Sequence, residues 1–211
     1  MTDTVSWTPE DRDAEEAEYH HQAALYAAWT GSRLLIGALS FLFGAFAFAY
    51  FYLRSLNSHG MWRPKGLHHP ALWLGTLIMA LVVASAAVQA LSVLRLKRGG
   101  SNGTWRRGAL AALAFGLVAV GLQIYQLLHL KFFPGSSGFS SLFAGFFPVY
   151  VLVIFLALCR LEILIAESGR MARGDTMDLQ RFQASLSAFT SIWNFLAAVA
   201  VVAWVLFYLA L

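Results

Sequence analysis

Six histidines, one cysteine and the four carboxylates beyond residue 18 are the side chains that could bind a metal, attack a bond or carry a proton. Their spacing supports none of these roles. A metal site asks for ligands on one face, for example two histidines at i and i+4. His20 with His21, and His68 with His69, are adjacent pairs, and the segment HGMWRPKGLHHP adds only His59. His129 closes an apolar run, where an imidazole suits lipid headgroups. Cys159 is the sole cysteine, so it forms no intrachain disulfide, and no partner for a catalytic thiol is evident. Phosphate loops, hydrolase elbows and haem-attachment motifs are missing from the sequence. Acids inside membrane spans usually mark proton or ion paths. Here Glu162 and Glu167 follow Cys159 beside Arg160 and Arg170, which suits a structural role at the membrane surface.

The polar groups that do lie within apolar runs are uncharged: Gln89, Gln123, Tyr125, Gln126 and Asn194. In lipid such groups form interhelical hydrogen bonds worth about 0.6 kcal/mol on average, enough to fix how helices meet. The residues expected to pack helices or contact lipid are Gln123, Tyr125, Gln126, Trp193, Asn194 and Tyr208. No catalytic, cofactor-binding or metal-binding residue is expected. Small residues four apart, Gly108 with Ala112 and Gly116, and Ser40 with Gly44, suit close helix approach.

These residues need helices in a bilayer to position them. With 59% hydrophobic and 12% charged residues, the composition is far from the roughly 25% charge of a soluble domain. A hydrocarbon core about 30 Å thick takes about 20 apolar residues in a helix. Five uncharged runs meet that length: 34–53, 71–94, 108–130, 139–159 and 186–211. Charges or turn residues separate them at 54–70, 95–107, 131–138 and 160–183. Nothing alternates with the two-residue period of a β-barrel. The expected fold is therefore all-α, a polytopic bundle of five spans over residues 31–211.

Residues 1–30 form an acidic tail without the basic start and apolar core of a cleavable signal. Thr8-Pro9-Glu10-Asp11 places a capping residue, a proline and acids as a helix start prefers them. An amphipathic helix from about Pro9 towards Trp29 should feed the first span, with Ala24, Leu25, Tyr26 and Trp29 near the membrane. Placing the amino terminus inside puts eleven of the fifteen Lys and Arg residues on the inner side; Arg54, Arg63, Lys65 and Lys131 fall outside. That balance predicts an inner amino terminus and an outer carboxyl end. The net charge of +4 is thereby a topology signal, and no nucleic-acid partner is implied.

In SIWNFLAAVAVVAWVLFYLAL, the final run, Trp193, Phe195 and Tyr208 resemble the closing helix of subunit III of haem-copper oxygen reductases, the cytochrome c and quinol oxidase family. Asn194 stands where that family has His, and Ala197 where it has Asp. LQIYQLLHL (Leu122 to Leu130) is similar to a family segment through Gln123, with Gln126 in place of an acid. In GFFPVYVLVIF, Gly145, Phe146 and Val151 match, while Phe147 and Tyr150 occupy two His positions. Ile36 to Arg54 resembles a helix carrying a Ser-Glu pair, here Ala38 and Leu39. The resemblance spans roughly residues 30–211 in order and spacing, with every aligned ionisable position neutral.

The resemblance implies a divergent five-span subunit III in the inner (plasma) membrane of a prokaryote. Such a subunit packs against catalytic subunit I, with subunit II in the same complex, and supports its stability and proton uptake. Its cofactors would be none of its own: haem and copper belong to the partner subunits, and a bound phospholipid is expected. Alternatives remain at this stage: a subunit-III-like protein associated with nitric oxide reductase, a small stand-alone transporter, or a membrane anchor. The transporter reading has only Pro148, near the start of the fourth span, as an intramembrane helix breaker.

Overall fold

The computed structural model describes residues 9–57, 60, 62, 64, 69–171 and 179–210. His59 and His68 lie outside these residues, as does the Thr8 cap. Helix α1 spans Pro9–Ser55, α2 Leu72–Lys97, α3 Asn102–Leu128, α4 Gly138–Met171 and α5 Leu179–Trp204; a π-helical turn, Val205–Leu209, follows α5. No strand occurs among the described residues. All five helices contain a segment long and apolar enough to cross a membrane, the build of a multi-pass membrane protein.

The helices close in the order α1, α5, α2, α3, α4 and back to α1, with α4 also touching α5. The tightest pair is the α2–α3 hairpin. Its turn is set by Gly99, whose φ of 90° admits few side chains, and by Gly100 N–H donating to the Arg95 carbonyl at 2.9 Å. These bonds satisfy the carbonyls left free at the end of α2. Ser101 then caps α3 by accepting from the Thr104 N–H at 3.3 Å. At the far side of that end, Asn102 and Ser168 exchange two hydrogen bonds, at 3.2 and 2.7 Å, and fasten α3 to α4.

Gly108 and Gly116 leave room that side chains of the neighbouring helices fill. A Cβ on Gly108 would run into Ser92 of α2, and one on Gly116 would sit 2.5 Å from Leu158 of α4. Ala112 between them is fully buried. The expectation for Ser40 and Gly44 fails, since a Cβ on Gly44 would meet nothing within 4 Å. Both residues line an open apolar furrow of about 290 Å³ between α1 and α5. Bulky Phe43, Phe46 and Tyr50 on α1 meet Phe146 and Phe207 and hold the backbones apart there.

Two boundaries differ from the sequence-based expectation. The acidic tail and first span are one helix, α1, and its outward side keeps Tyr19, Tyr26 and Trp29 exposed. The connection expected over 160–183 is largely helical, because α4 continues to Met171 and α5 begins at Leu179. Leu161, Leu164, Ile165 and Ser168 keep a helical spacing and are buried, while Arg160 reaches Glu167 at 3.5 Å on the surface. Charge marks the end of the apolar run here, not the end of the helix. Pro148 sits eleven residues into α4, and the helix continues through it.

Helix approach at Gly108 yields a controlled prediction. Gly108→Leu should lower stability by about 1–3 kcal/mol through overpacking. Gly121→Leu, at an exposed α3 position with nothing within 4 Å of its Cβ, should leave it unchanged. Thermal unfolding of both purified variants in one detergent checks this, and equal midpoints would refute the packing role.

Candidate functional site

Most interhelical hydrogen bonds among the described residues converge on α5 or the residues that follow it. Trp193, set near the middle of α5 and almost fully buried, donates from Nε1 to Ser85 Oγ of α2 at 3.2 Å. Ser85 Oγ in turn donates a hydrogen bond to the Ala112 carbonyl of α3 at 2.6 Å, so one chain of two bonds joins three helices. Nearer the carboxyl end, Trp204 Nε1–H donates to Thr76 Oγ1 of α2 at 3.0 Å.

Tyr208 lies in the π-helical turn, whose wider winding lets consecutive residues Phe207 and Tyr208 both face inward. Its hydroxyl donates to Gln126 Oε1 at 2.9 Å, and Gln123 Nε2 donates to the same oxygen at 3.0 Å. Gly75 makes room for this arrangement, since a Cβ there would collide with the Tyr208 ring.

The other two helices also bond to α5 or the residues that follow it. Tyr150 of α4 donates to the Leu196 carbonyl at 2.8 Å. Tyr50 of α1 donates to the Ala210 carbonyl at 2.6 Å, and Arg54 Nη1 reaches the same oxygen at 2.5 Å. A cluster of aromatic rings surrounds these bonds, with Phe143 and Phe207 centroids 5.6 Å apart at 85° and Tyr50 over Trp62 at 5.0 Å and 89°. Edge-to-face pairs of this kind add about 0.5–1.5 kcal/mol beyond their buried area.

Of the sequence-predicted residues, Gln123, Gln126 and Tyr208 form one constellation and Trp193 anchors a second. Tyr125 and Asn194 join neither. Tyr125 is exposed and stacks on His129 with centroids 4.1 Å apart. Asn194 is exposed on the outer face of α5, and its side chain makes no hydrogen bond within the described residues. The sequence reading missed Ser85, Thr76 and Tyr50, and noted Tyr150 only as standing at a His position of the resemblance. For the two tyrosines the partner is a backbone carbonyl, which leaves no pattern in the sequence; the i, i+4, i+7 run of Ser85, Gln89 and Ser92 was the available signal for Ser85.

Gln89 is the opposite case. It is completely buried, yet neither Oε1 nor Nε2 has a partner among the described residues. The Trp105 indole N–H, also buried, is likewise unpaired there. Among the described residues no group of three His, Cys, Asp or Glu side chains comes together to hold a metal. What the constellation does is fix the position of α5 against every other helix.

Removing the two glutamines should therefore have opposite effects. Gln126→Leu strands the Tyr208 hydroxyl and Gln123 amide and should destabilise by about 1–3 kcal/mol. Gln89→Leu removes an unpaired buried amide and should be neutral or stabilising. Unfolding of both variants in detergent decides the point, and a destabilised Gln89→Leu would show that this amide has a partner. Compared with known proteins, the chain matches no protein-family model and no curated protein sequence.

Proposed function

We propose that this chain is an accessory, non-redox membrane subunit of the subunit III kind, packing against the catalytic subunit of a haem-copper terminal oxidase. The observation that carries the reading is Asn194. Its amide lies eight residues beyond Leu186, about 12 Å into the apolar part of α5, and faces outward without a partner among the described residues. A polar group left facing hydrocarbon costs several kcal/mol, so that face calls for a polar partner on another transmembrane helix. Ser191, Asn194, Ala198, Val201, Val202 and Val205 share the exposed face and are small enough for a second helix to lie close.

The neutral positions of the resemblance support a structural role for the chain. Leu39, Phe147, Tyr150 and Ala197 stand where the family carries Glu, His, His and Asp, and all four are buried in the bundle. Tyr150 uses its hydroxyl to hold α5, a task an imidazole could share. Oxygen reduction, haem and copper then belong to the partner subunits. The distribution of Lys and Arg supports an inner amino terminus and an outer carboxyl end, and the resemblance implies residence in a prokaryotic plasma membrane.

Topology is testable on whole cells. With Cys159→Ala as background, a cysteine at Ser136 should react with a membrane-impermeant maleimide and one at Ser101 should not. The reverse pattern would invert the bundle. For the partner, the tagged chain purified in mild detergent should show haem bands in a reduced-minus-oxidised spectrum, together with a large polytopic subunit. Asn194→Leu should cut the haem recovered per chain severalfold while leaving the chain folded. A colourless, folded, solitary wild-type protein would sink the oxidase reading.

A further inference from the structure

Two small cavities lie inside the bundle, of about 20 and 10 Å³. Ile78 and Val82 of α2, Gln123 of α3 and Tyr150 of α4 border both, and the larger one also reaches Ala200 of α5 and Tyr208 beyond it. All of these residues are buried, so the space lies in the interior of the bundle, apart from the furrow beside α1. It follows from the packing of the five helices and is independent of the proposed oxidase role.

The polar groups that border the larger cavity have acceptor capacity to spare and their hydroxyl and indole protons already placed. Gln123 is 4% exposed; its Nε2 donates to Gln126 Oε1, while its own Oε1 accepts no hydrogen bond among the described residues. Neighbours seal the Gln89 amide completely, whereas the Gln123 oxygen keeps accessible surface. The two phenols have committed their protons, Tyr150 to the Leu196 carbonyl at 2.8 Å and Tyr208 to Gln126 Oε1 at 2.9 Å. Each phenol oxygen still has a lone pair to offer. Trp204, the remaining polar side chain of the lining, gives its one proton to Thr76.

An occupant of this space must therefore supply protons. A cation would meet no carboxylate in the lining, and an unpaired buried charge costs far more than three neutral oxygens return. Size decides the rest, since about 10–15 Å³ of such space holds one water. Water is neutral, fits, and brings two donors to a site that offers acceptors. A bridge of this kind is enthalpically nearly as good as a direct hydrogen bond. Among the described residues, α3 and α4 are otherwise hydrogen-bonded only through Asn102 and Ser168, roughly 30 Å along α3 from Gln123.

We propose that the larger cavity binds one structural water, which donates to Gln123 Oε1 and to the Tyr150 hydroxyl oxygen and so joins α3 to α4 in the middle of the bundle. The full-length chain in detergent is exposed to X-ray-generated hydroxyl radicals, which mark side chains beside a water, and the products are located by peptide mass spectrometry. Phe147 borders the cavity; Phe43, buried to a similar degree, borders only the apolar furrow. Phe147 should be hydroxylated at least fivefold faster than Phe43. Gln123→Met, which keeps the length of the side chain and removes the acceptor, should cut the Phe147 rate at least threefold and leave Phe43 unchanged. Ala200→Val fills the space without touching a polar group and should do the same, so either variant tests the idea where the other fails to fold. Circular dichroism identifies the folded ones, and the wild-type comparison stands without them. Equal rates at Phe147 and Phe43 in the wild type would overturn the proposal, as would an unchanged Phe147 rate in a folded variant.

Discussion

Every other helix of this bundle is hydrogen-bonded to α5 or to the turn that ends it, and the fold depends on that constraint. In water, apolar faces would drive helices together; between lipid tails that drive is lost, and packing and polar contacts decide the arrangement. Helix α5 meets this with indole and phenol donors, Trp193 and Trp204 to α2 and Tyr208 to α3. Its backbone in turn accepts from Tyr150 on α4, and Ala210 accepts from Tyr50 on α1. Each bond is individually small, about 0.6 kcal/mol by the measured average. Their value is geometric, since rings that both pack and donate hold the rotation of a helix as well as its distance.

That arrangement also explains where helices approach closely and where they do not. Gly108 and Gly116 of α3 give up their side-chain space to Ser92 of α2 and Leu158 of α4, and Gly75 does the same for the Tyr208 ring. Helix α1 is held differently. Only 17% of its apolar window is buried, against 33–39% for the other four. It leans on α4 and α5 through Phe43, Phe46 and Tyr50, and a furrow stays open beside Ser40 and Gly44. Small residues permit close approach but do not cause it; large aromatic neighbours on the same helix overrule them.

The five spans were legible in the sequence because uncharged apolar runs of about 20 residues are rare outside helices that cross a bilayer. Helix ends were less so. Arg160, Glu162 and Glu167 signal departure from hydrocarbon, and the helix continues past them because Leu161, Leu164 and Ile165 still have a core to bury in. Among the polar residues, Gln123, Gln126, Trp193 and Tyr208 were identifiable as uncommon groups in apolar surroundings. Their pairing was not, since it depends on the π-helical turn that brings Tyr208 inward and on the absence of a side chain at Gly75. The bonds of Tyr50 and Tyr150 gave no signal, because a phenol that donates to a backbone carbonyl needs no complementary residue; Tyr150 stood out only by its place at a His position of the resemblance.

Gln126 occupies the point where these considerations meet. Its oxygen accepts from both Tyr208 and Gln123 and hence holds the end of α5, while its nitrogen is buried without a partner among the described residues. An amide is planar, so the two bonds that fix the oxygen also fix where the nitrogen lies. A carboxylate at this position could accept the same two bonds but would bury a charge among apolar side chains, at a cost far above that of a neutral amide. Glutamine therefore anchors α5 without a charge in the bundle, and the unpaired nitrogen is the smaller cost of that choice.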